Sequence, residues 1–459
     1  MKKILLFGAG KSATCLIRYL IRETGPRGWS LVVAEYNLSL AQSKIGNAPH
    51  ATAVVLAVEN EAERELLIRE ADIVISLLPP ALHSLVAISC VKCKKDLLTA
   101  SYLDAPIKSL EQAIRENGLL FLGEMGLDPG IDHMSAMQLI HRVREQEGRV
   151  LAFRSHTGGL VAPESDNNPW HYKISWNPRN VVMAGSAGAR YKENGQVVSK
   201  TYEELFENNG EVPIDGIGRN LSWYPNRDSL PYISLYGLDE AETFIRTTLR
   251  YPDFCRGWKS IVRAGLTDDQ TVLRGVGNQV AADVLRKVGN QAAAKDSDER
   301  MAAGTAGSAL SFAEWSTPIL PYVNADNREQ LEFLGLFDNT PIPPQARVSA
   351  DVLQYLLETK LAMEVQDKDM IVMLHEISYT VKGRPYEDKS SLIVKGENTL
   401  ETAMAKTVGL PLGIAAKLIL EGKMKGLTGL HIPILPQIYE PVLKELAGEG
   451  IHFEEQSSH

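Results

Sequence analysis

The chain of 459 residues has few cysteines, few aromatic residues and no basic surplus. Its four cysteines, Cys15, Cys90, Cys93 and Cys255, are too few and too scattered to form a disulfide framework in a chain of this size. Cys90 and Cys93 have the spacing of a metal or redox pair, but no second ligand pair lies near them in the sequence. We therefore expect structural thiols there.

Positive charge is in the minority, since the formal net charge is -9 at pH 7. This balance argues against a broad phosphate-binding surface, so we expect no nucleic-acid partner. No apolar stretch approaches the length that a bilayer-spanning helix needs, and Ile4 to Phe7 is too short for the core of a signal peptide. The sequence therefore predicts a cytoplasmic protein that engages no membrane.

The chain is too long for one ordinary hydrophobic core, so two or three domains are expected. At the N-terminus, the apolar run Ile4 to Phe7 leads directly into a glycine turn, and a helical pattern starts at Ser12. Gly8 allows the tight turn, Gly10 lets the backbone approach a pyrophosphate, and Ala13 permits close packing of helix on strand. This pattern is typical of a dinucleotide-binding site.

Further apolar runs alternate with helical patterns as far as residue 122. The six predicted strands are Ile4 to Phe7, Leu31 to Ala34, Ala53 to Val58, Ile73 to Ser76, Asp96 to Thr99 and Leu119 to Leu122. Such alternation predicts an α/β fold with a Rossmann-type, doubly wound parallel sheet. Ligands bind such sheets at the carboxyl ends of the strands, so we expect these residues to contact the cofactor: Gly8, Gly10, Lys11, Ser12, Ala13, Glu35, Ser76 and Leu77.

The pattern changes after a predicted helix from Ile131 to Glu147. Val150 to Thr157 alternates like a sheet strand, the stretch from Tyr251 to Val365 is mainly helical, and Gly289 to Ser308 has the composition of a surface loop. Strands return at Met370 to Val381 and Ser390 to Lys395. A helix predicted from Thr399 to Glu421 is broken at Gly409-Leu410-Pro411, and a last helix lies near Glu440 to Leu446.

The segment from Gly123 to His133 is the most distinctive in the chain. Pro129 and Gly130 predict a stiff turn just beyond the sixth strand. Asp132 can cap the following helix, and both Asp132 and His133 are interpreted as structural. Asp128 points from a strand end into the expected cleft.

Glu124-Met-Gly-Leu-Asp-Pro-Gly-Ile-Asp-His133 resembles a motif of the glutamate-forming saccharopine dehydrogenases, also called saccharopine reductases. Other segments resemble that family in the same order and span nearly the whole chain: Ile75 to Pro79 with His83, Thr99 to Tyr102, Gly158 to Leu160, Ala162 to Ser165, Lys173 to Trp176, Tyr224 to Ser229, Thr247 to Tyr251, Asp369 to Leu374 and Ala403 to Lys406. The resemblance implies a Rossmann domain at 1–130 with a C-terminal return at about 400–459. It also implies a mixed α/β substrate and dimerisation domain at 131–250 and 366–399, with a helical domain at 251–365.

The activity that the resemblance implies is NAD(P)-dependent oxidation of the secondary amine of saccharopine to an imine. Hydrolysis then gives glutamate and 2-aminoadipate semialdehyde, or the reverse reductive condensation occurs, within lysine metabolism. Carboxynorspermidine dehydrogenase and lysine 6-dehydrogenase share the architecture and stay open as alternatives, as does a non-catalytic NAD-binding regulator. A homodimer is expected.

Saccharopine carries three carboxylates, which the planar guanidinium of arginine binds well. Arg227 and Arg250 lie in stretches that match the family's substrate contacts. The implied substrate-binding residues are Ser101, Tyr102, Asp128, Arg227, Thr248, Leu249 and Arg250. Tyr102 and Asp128 are the candidate catalytic groups, because a proton relay must lie within hydrogen-bond reach of the amine. Leu127 and Ser175 join the implied cofactor contacts.

The chain departs from the fungal members at two places. Those members often have a cysteine where this chain has Thr157, so any proton transfer by that thiol is absent here. They also tend to carry an arginine after the second strand, where this chain has Glu35, which repels a 2′-phosphate and accepts a 2′-hydroxyl. We therefore expect NAD to be preferred, with NADP as the alternative and Lys11 as a further phosphate contact or a solvated lysine. His83 and His375 are interpreted as structural, and no metal site is expected.

Overall fold

The computed structural model describes residues 1–207, 210–273 and 310–458. The predicted loop from Gly289 to Ser308 lies outside these residues. Within them the chain forms two β-sheets and a helical region.

The first sheet has seven parallel strands in the order β16-β6-β5-β4-β1-β2-β3. Its strands are β1 (Lys3–Phe7), β2 (Ser30–Glu35), β3 (Ala51–Val55), β4 (Ile73–Ser76), β5 (Asp96–Thr99), β6 (Leu120–Leu122) and β16 (Gly429–His431). The predicted Rossmann-type α/β fold is confirmed. The third strand ends at Val55 rather than Val58, because Leu56 and Val58 leave the sheet and pack as buried loop residues.

Helices cover both faces of this sheet. Along β1, Ile4 and Leu6 pack into one hydrophobic cluster, and Leu5 and Phe7 pack into another. Both faces being buried explains why the strands are continuous apolar runs. The helices of the described residues are α1 (Ala13–Arg27), α2 (Leu38–Ile45), α3 (Glu61–Glu70), α4 (His83–Cys93), α5 (Ala105–Lys108), α6 (Glu111–Glu116), α7 (Ile131–Glu145), α8 (Pro178–Val182), α9 (Leu230–Leu235), α10 (Pro252–Arg263), α11 (Phe312–Trp315), α12 (Arg328–Leu334), α13 (Ser349–Lys360), α14 (Ala403–Leu420) and α15 (Pro436–Gly448).

The second sheet is mixed and has ten strands. Seven follow the order β10-β11-β13-β7-β14-β15-β17, while β8 pairs with β9, β12 and β13. Its strands are β7 (Gly148–Val161), β8 (Ala189–Glu193), β9 (Gln196–Lys200), β10 (Gly210–Val212), β11 (Leu221–Pro225), β12 (Arg227–Asp228), β13 (Thr243–Arg250), β14 (Asp369–Val381), β15 (Arg384–Lys395) and β17 (Glu454–Ser458). The last strand thus joins this sheet, whereas β16 joins the parallel one.

Strand β7 extends further than the alternation in the sequence predicts. It continues through Gly158 and Gly159 to Val161, because small residues are needed there. A Cβ atom at Gly158 would lie 2.7 Å from the Cβ of Leu249 on β13. Gly158 therefore permits close packing within the sheet, Gly159 leaves room for Met404 on α14, and neither glycine ends the strand.

Helix α14 corrects two expectations. It is unbroken over 18 residues although it contains Pro411, because tertiary packing holds it: a Cβ at Gly409 would lie 3.0 Å from the Cβ of Leu16 on α1. Its length and apolar composition also match those of a membrane-spanning helix, contrary to the expectation that no stretch approaches that length. However, 83% of this segment is buried inside the protein, as in a core helix.

The described part of the predicted helical region, from 251 to 365, is helical with a core of its own. Helices α10, α12 and α13 contribute to that core together with Trp170 and Tyr172 from the loop after β7. Within α10, Phe254 and Trp258 stack with ring centroids 5.2 Å apart. This core adjoins the end of β13, which carries Arg250.

Candidate active site

The glycine turn between β1 and α1 has the shape that a dinucleotide requires. Gly8 has a φ of 97°, and a Cβ there would lie 2.7 Å from the carbonyl oxygen of Leu77. At Gly10 an added Cβ would meet no atom within 4 Å. That open space next to the backbone, together with the N-terminus of α1, fits a pyrophosphate. Ser12 occupies the N-cap of α1 without a side-chain capping bond.

The carboxylate of Glu35 lies directly against this turn. It accepts a hydrogen bond from the backbone N–H of Ala9 at 2.7 Å. Glu35, Gly8, Gly10 and Leu77 share the lining of a cleft of about 400 Å³, which we name the glycine-turn cleft. Its described lining includes Glu35 and Glu59 but no lysine or arginine. This arrangement suits the hydroxyl groups of a ribose.

Lys11 and Ser175 line a second cleft, of about 300 Å³, together with Thr402. Lys11 comes from the glycine turn, Ser175 from the segment between β7 and α8, and Thr402 is the N-cap of α14. The cleft therefore lies between the glycine turn, the segment before α8, the C-terminal end of α13 and the start of α14. Two predicted cofactor contacts that are 164 residues apart in the chain are brought together here.

The candidate catalytic residues Tyr102 and Asp128 are in contact. The Tyr102 hydroxyl donates to Oδ1 of Asp128 at 3.0 Å. Burial raises the pKa of Tyr102, so the phenol stays protonated. Burial is also the largest cause that raises the pKa of Asp128, and the charge of Asp132 adds to it, while Arg246 opposes the rise. The peptide bond between Asp128 and Pro129 is cis.

Two residues that were not predicted from the sequence, Arg246 and Asn226, also contact Asp128. Nη2 of Arg246 lies 2.5 Å from Oδ1 of Asp128, 2.6 Å from Oδ2 of Asp132 and 3.3 Å from the Tyr102 hydroxyl. Nδ2 of Asn226 lies 3.4 Å from Oδ2 of Asp128. Asp132 does not occupy the N-cap of α7, which is Gly130; instead its Oδ1 accepts the Gly130 N–H at 2.6 Å.

A buried set of polar side chains supports the motif from behind. Oε2 of Glu124 lies 2.8 Å from Nε2 of His133 and 3.0 Å from the Tyr232 hydroxyl. Nδ1 of His133 lies 2.6 Å from the Tyr236 hydroxyl. These contacts hold the start of α7 against α9, which agrees with the structural interpretation of His133.

Ser101 belongs to a separate link between strand ends. His83 lies 2.8 Å from the hydroxyl of Ser76 through Nδ1 and 2.8 Å from that of Ser101 through Nε2. Burial lowers the pKa of His83 to about 4, so the ring is neutral at physiological pH. The ring thus ties a predicted cofactor contact at the end of β4 to a predicted substrate contact after β5.

The two predicted carboxylate-binding arginines have different surroundings. Arg227 is exposed, has a φ of 54° and places its guanidinium 5.1 Å from the ring centroid of Tyr102. Arg250 is buried, with its guanidinium 5.4 Å from the rings of both Tyr172 and Phe254. No acidic side chain among residues 1–207, 210–273 and 310–458 forms an ion pair with Arg227 or Arg250. Free guanidinium groups of this kind suit anionic ligands.

Strand β13 relates Arg250 to the candidate catalytic pair. Because side chains alternate along a strand, Arg246, Thr248 and Arg250 share one face. Thr248 pairs with Thr157 on β7, and the Thr157 hydroxyl is buried without a hydrogen-bond partner. Leu249 points to the opposite face and packs in a different hydrophobic cluster, so its predicted substrate contact is not supplied by its side chain.

The remaining predicted cofactor contacts lie near the strand ends. Leu77 donates its backbone N–H to the Phe7 carbonyl at 2.9 Å, and Leu127 is buried just ahead of Asp128. Ala13 is buried in the first turn of α1. Among the described residues no cluster of three or more histidine, cysteine, aspartate or glutamate side chains has the arrangement of a metal site.

Arg246 was detectable from the sequence, since it lies on the same strand face as Thr248 and Arg250 at two-residue spacing. Arg246 immediately precedes the segment Thr247 to Tyr251 that resembles the family. Asn226 lies within another such segment, Tyr224 to Ser229, next to Arg227.

Comparisons with known proteins cover the whole chain. The family model described as "Saccharopine dehydrogenase NADP binding domain" matches residues 4–122, and "Saccharopine dehydrogenase C-terminal domain" matches residues 126–451. The chain is 32% identical over 461 residues to the saccharopine dehydrogenase (NADP(+), L-glutamate-forming) of Schizosaccharomyces pombe, covering 99% of each protein. It is 34% identical over 464 residues to the mitochondrial alpha-aminoadipic semialdehyde synthase of Mus musculus.

That second match covers 100% of this chain and 48% of the mouse protein, so the chain spans about half the length of the mammalian relatives it matches. Among solved structures, apo saccharopine dehydrogenase (L-Glu forming) from Saccharomyces cerevisiae matches with a TM-score of 0.82 and 30% identity, covering 100% of both chains. Homospermidine synthase from Legionella pneumophila matches with a TM-score of 0.53 and 8% identity, which shows a shared fold.

Proposed function

The chain belongs to the saccharopine dehydrogenase family, and we propose that it catalyses the NAD(P)-dependent oxidation of saccharopine to glutamate and 2-aminoadipate 6-semialdehyde, or the reverse condensation. The observation that carries this proposal is a pair of arginines that form no ion pair with an acidic side chain of the described residues: Arg227 lies over the ring of Tyr102, and Arg250 lies on the same face of β13 as Arg246, which contacts Tyr102 and Asp128. Such a site suits a ligand with several carboxylates and a central amine. The fungal relatives at 30–32% identity over nearly their full length carry this activity in their names.

The nicotinamide cofactor accepts the hydride when it is bound. The chain supplies the glycine turn for the pyrophosphate, Glu35 for the adenosine ribose, and Lys11 and Ser175 in the neighbouring cleft. Ser76 and Leu77 at the end of β4 are the proposed contacts nearest to the substrate.

Asp128 and Tyr102 handle the protons in this proposal. The amine must lose a proton before it is oxidised, and water must lose one as it adds to the imine carbon. Tyr102 stays protonated because it is buried, so it acts as a relay: it takes up the proton from the amine or the water as it passes its own to ionised Asp128 along the existing 3.0 Å hydrogen bond. Asp128 returns a proton through Tyr102 to the nitrogen, the carbon–nitrogen bond breaks with glutamate as the leaving amine, and the hydroxyl of the other fragment loses its proton as it becomes the aldehyde.

The function is tested by supplying purified full-length protein with saccharopine, carboxynorspermidine or lysine and following reduction of each cofactor. The proposal expects turnover with saccharopine and one glutamate released per cofactor reduced. Turnover with carboxynorspermidine or lysine alone would replace it with the related amine dehydrogenases. Cofactor binding without turnover of any amine would favour a regulator.

We further propose that NAD is preferred over NADP. Glu35 and Glu59 line the glycine-turn cleft, and a carboxylate there repels a 2′-phosphate. The fungal relatives are named for NADP(+), so the proposal predicts a difference between them and this chain. The ammonium group of Lys44 donates to the Gly10 carbonyl beside Glu35, and burial lowers its pKa to about 8.

The preference is measured as the ratio of kcat/KM for NAD to that for NADP. We expect a ratio above one in the wild type and a lower ratio in Glu35→Ala. Lys44→Met serves as the control, because it removes the neighbouring cation and keeps the Glu35 carboxylate. A wild-type ratio below one would contradict the role given to Glu35.

Domain boundaries, oligomeric state and compartment complete the proposal. We assign residues 1–130 and about 400–453 to the cofactor domain, 131–250, 366–399 and the final strand to the substrate domain, and 251–365 to the helical domain. This division is supported by the strand pairing of β16 and β17. Sedimentation at several protein concentrations tests the proposed homodimer, and cell fractionation tests the proposed cytoplasmic location.

A further inference from the structure

A buried arginine joins the proposed catalytic carboxylate to a second carboxylate that lies behind it. Arg246 is 2% exposed, and its Nη2 contacts both Asp128 and Asp132, at 2.5 and 2.6 Å. The side chain of Asp128 is 12% exposed and that of Asp132 only 1%, so Asp128 is the accessible member of the pair. The sequence motif thus places two carboxylates four residues apart around one guanidinium nitrogen.

We propose that Arg246 and Asp132 are positioning residues for Asp128: Arg246 fixes its carboxylate against the Tyr102 hydroxyl, and the negative charge of Asp132 makes Asp128 the member of the pair that gains and loses the proton. This inference rests on the proposed roles of Tyr102 and Asp128. It adds a residue, Arg246, that the sequence motif does not contain.

The hydrogen bonds of the two carboxylates explain the asymmetry. Asp132 accepts the Gly130 N–H at 2.6 Å in addition to Arg246, so its charged form is well solvated by the protein. Asp128 accepts hydrogen bonds from the Tyr102 hydroxyl, from Arg246 and, at the longer distance of 3.4 Å, from the Asn226 amide. It accepts none from a backbone N–H among the described residues. Two carboxylates that contact the same guanidinium nitrogen lie so close together that they do not both ionise easily. The pKa of Asp128 is accordingly raised and that of Asp132 lowered.

Other charged or titratable groups face the pair from each neighbouring element. His133 on α7 lies 3.6 Å from Asp132 and is itself bonded to Glu124 after β6. Tyr236 on α9 bonds to His133. Arg227 on β12 lies over the ring of Tyr102, and His375 on β14 faces α7 through Ser135. None of these contacts Asp128 directly at hydrogen-bond distance, whereas Arg246 contacts Asp128, Asp132 and Tyr102.

Arginine is suited to this position because its planar group is held between rings as well as carboxylates. The guanidinium of Arg246 lies 4.5 Å from the ring of Tyr232 and 5.7 Å from that of Tyr102. Lysine keeps the charge but lacks the planar group that stacks and bonds at the same time. Replacing Arg246 with lysine therefore separates the effect of its charge on Asp128 from the effect of its geometry.

The test combines infrared spectroscopy with steady-state kinetics on the full-length protein. The carboxylic acid band of Asp128 is isolated as the difference between wild type and Asp128→Asn and is titrated with pH in each background. In Asp132→Asn we expect the midpoint to fall by roughly one pH unit, because a like charge is removed and Arg246 serves Asp128 alone. The kcat/KM–pH profile should shift the same way.

Arg246→Lys is the second variant. We expect its midpoint to stay near the wild-type value while kcat falls by about 10- to 100-fold, since the Asp128–Tyr102 geometry is loosened. The matched control is Asp388→Asn, which removes a buried carboxylate that also accepts a tyrosine hydroxyl, from Tyr379 at 3.1 Å, at a distance from the cleft along β15. It should change neither the Asp128 midpoint nor the pH profile.

The inference is overturned if folded Asp132→Asn leaves the Asp128 midpoint where it is in the wild type. It is also overturned if Arg246→Lys retains wild-type kcat and pH profile, a result that stays informative if Asp132→Asn does not fold. The infrared titration needs no turnover. A chain inactive on saccharopine that still shows the midpoint shift would therefore refute the proposed function and leave the coupling of the two carboxylates standing.

Discussion

Replacing Arg250 with methionine should weaken substrate binding without destabilising the protein. Arg250 is 4% exposed, and its Nε has no hydrogen-bond partner. Its one protein hydrogen bond among the described residues goes from Nη1 to the Leu249 carbonyl at 2.8 Å. A buried cation that lacks a carboxylate partner costs free energy in the unliganded protein and gains it when an anionic ligand arrives.

The magnitude follows from the contacts that are lost. A hydrogen bond to a charged group contributes about 1.5–3 kcal/mol, so loss of the contact to a substrate carboxylate should raise KM for saccharopine by about 10- to 150-fold. Methionine fills a similar volume between Tyr172 and Phe254 without a charge. The unfolding temperature should therefore stay the same or rise by roughly 1–3 °C.

Arg246→Met is the matched comparison. Both arginines are buried on the same face of β13, but Arg246 has two carboxylate partners. Its removal leaves Asp128 and Asp132 without a cation and should cost about 3–5 kcal/mol of stability. The assays are thermal unfolding of each variant and initial rates against saccharopine concentration. A lower unfolding temperature for Arg250→Met, with an unchanged KM, would refute the role of Arg250 as a ligand-binding group.

Four further variants test separate features of the protein. Tyr102→Phe should lower kcat by about 10- to 100-fold at unchanged cofactor affinity, because it removes the hydroxyl that bonds Asp128, and wild-type kcat would exclude the relay. Gly10→Ala should weaken NAD binding in a titration without lowering the unfolding temperature. Gly409→Ala should cost about 1–3 kcal/mol of stability, because the added Cβ would lie 3.0 Å from Leu16. Equal effects of the two substitutions on binding and on stability would contradict this geometry. His83 has a folded pKa of about 4, below its unfolded value, so it adds stability that is fully present above pH 6.5 and is lost as the pH falls toward 4. In His83→Asn the free energy of unfolding, measured with urea, should change between pH 6.5 and pH 4 by about 2–3 kcal/mol less than it does in the wild type. An unchanged pH dependence would show that His83 does not take up the proton.

The parallel sheet was predictable because its strands are buried on both faces. Continuous apolar runs such as Ile4 to Phe7 and Ile73 to Ser76 carry that signal in the sequence. The seventh strand, Gly429–His431, was not predicted, since three residues that start with glycine form no apolar run. Its place in the sheet depends on pairing with β6, which is distant in the chain.

Local breaking signals misled where tertiary contacts decide the backbone. Gly409 and Pro411 predict a break, but α1 packs so closely against Gly409 that an added Cβ would lie only 3.0 Å from Leu16. The alternation predicts a strand that ends at Thr157, but β7 continues, and Gly158 serves the close approach of β13 to β7. In each case glycine is required by a neighbouring element that the local sequence does not contain.

In the candidate site, too, contacts within one sheet could be predicted and contacts between the two sheets could not. The pairing of Tyr102 with Asp128 could be predicted because both follow strands of one parallel sheet. The contact with Arg246 could not, because it brings a strand of the second sheet 118 residues away onto the motif. The different surroundings of Arg227 and Arg250 likewise depend on the packing of the helical region around β13.

The central claim is that the chain binds a nicotinamide cofactor at the glycine turn beside Glu35 and a tricarboxylate amine near Tyr102, Asp128 and the arginines Arg227 and Arg250. The most direct test is quantification of products after incubation of the protein with saccharopine and excess NAD. The account predicts equal amounts of glutamate, 2-aminoadipate semialdehyde and reduced cofactor, all lost in Asp128→Asn. Absence of glutamate with saccharopine and either cofactor, from folded protein that binds the cofactor, would contradict it.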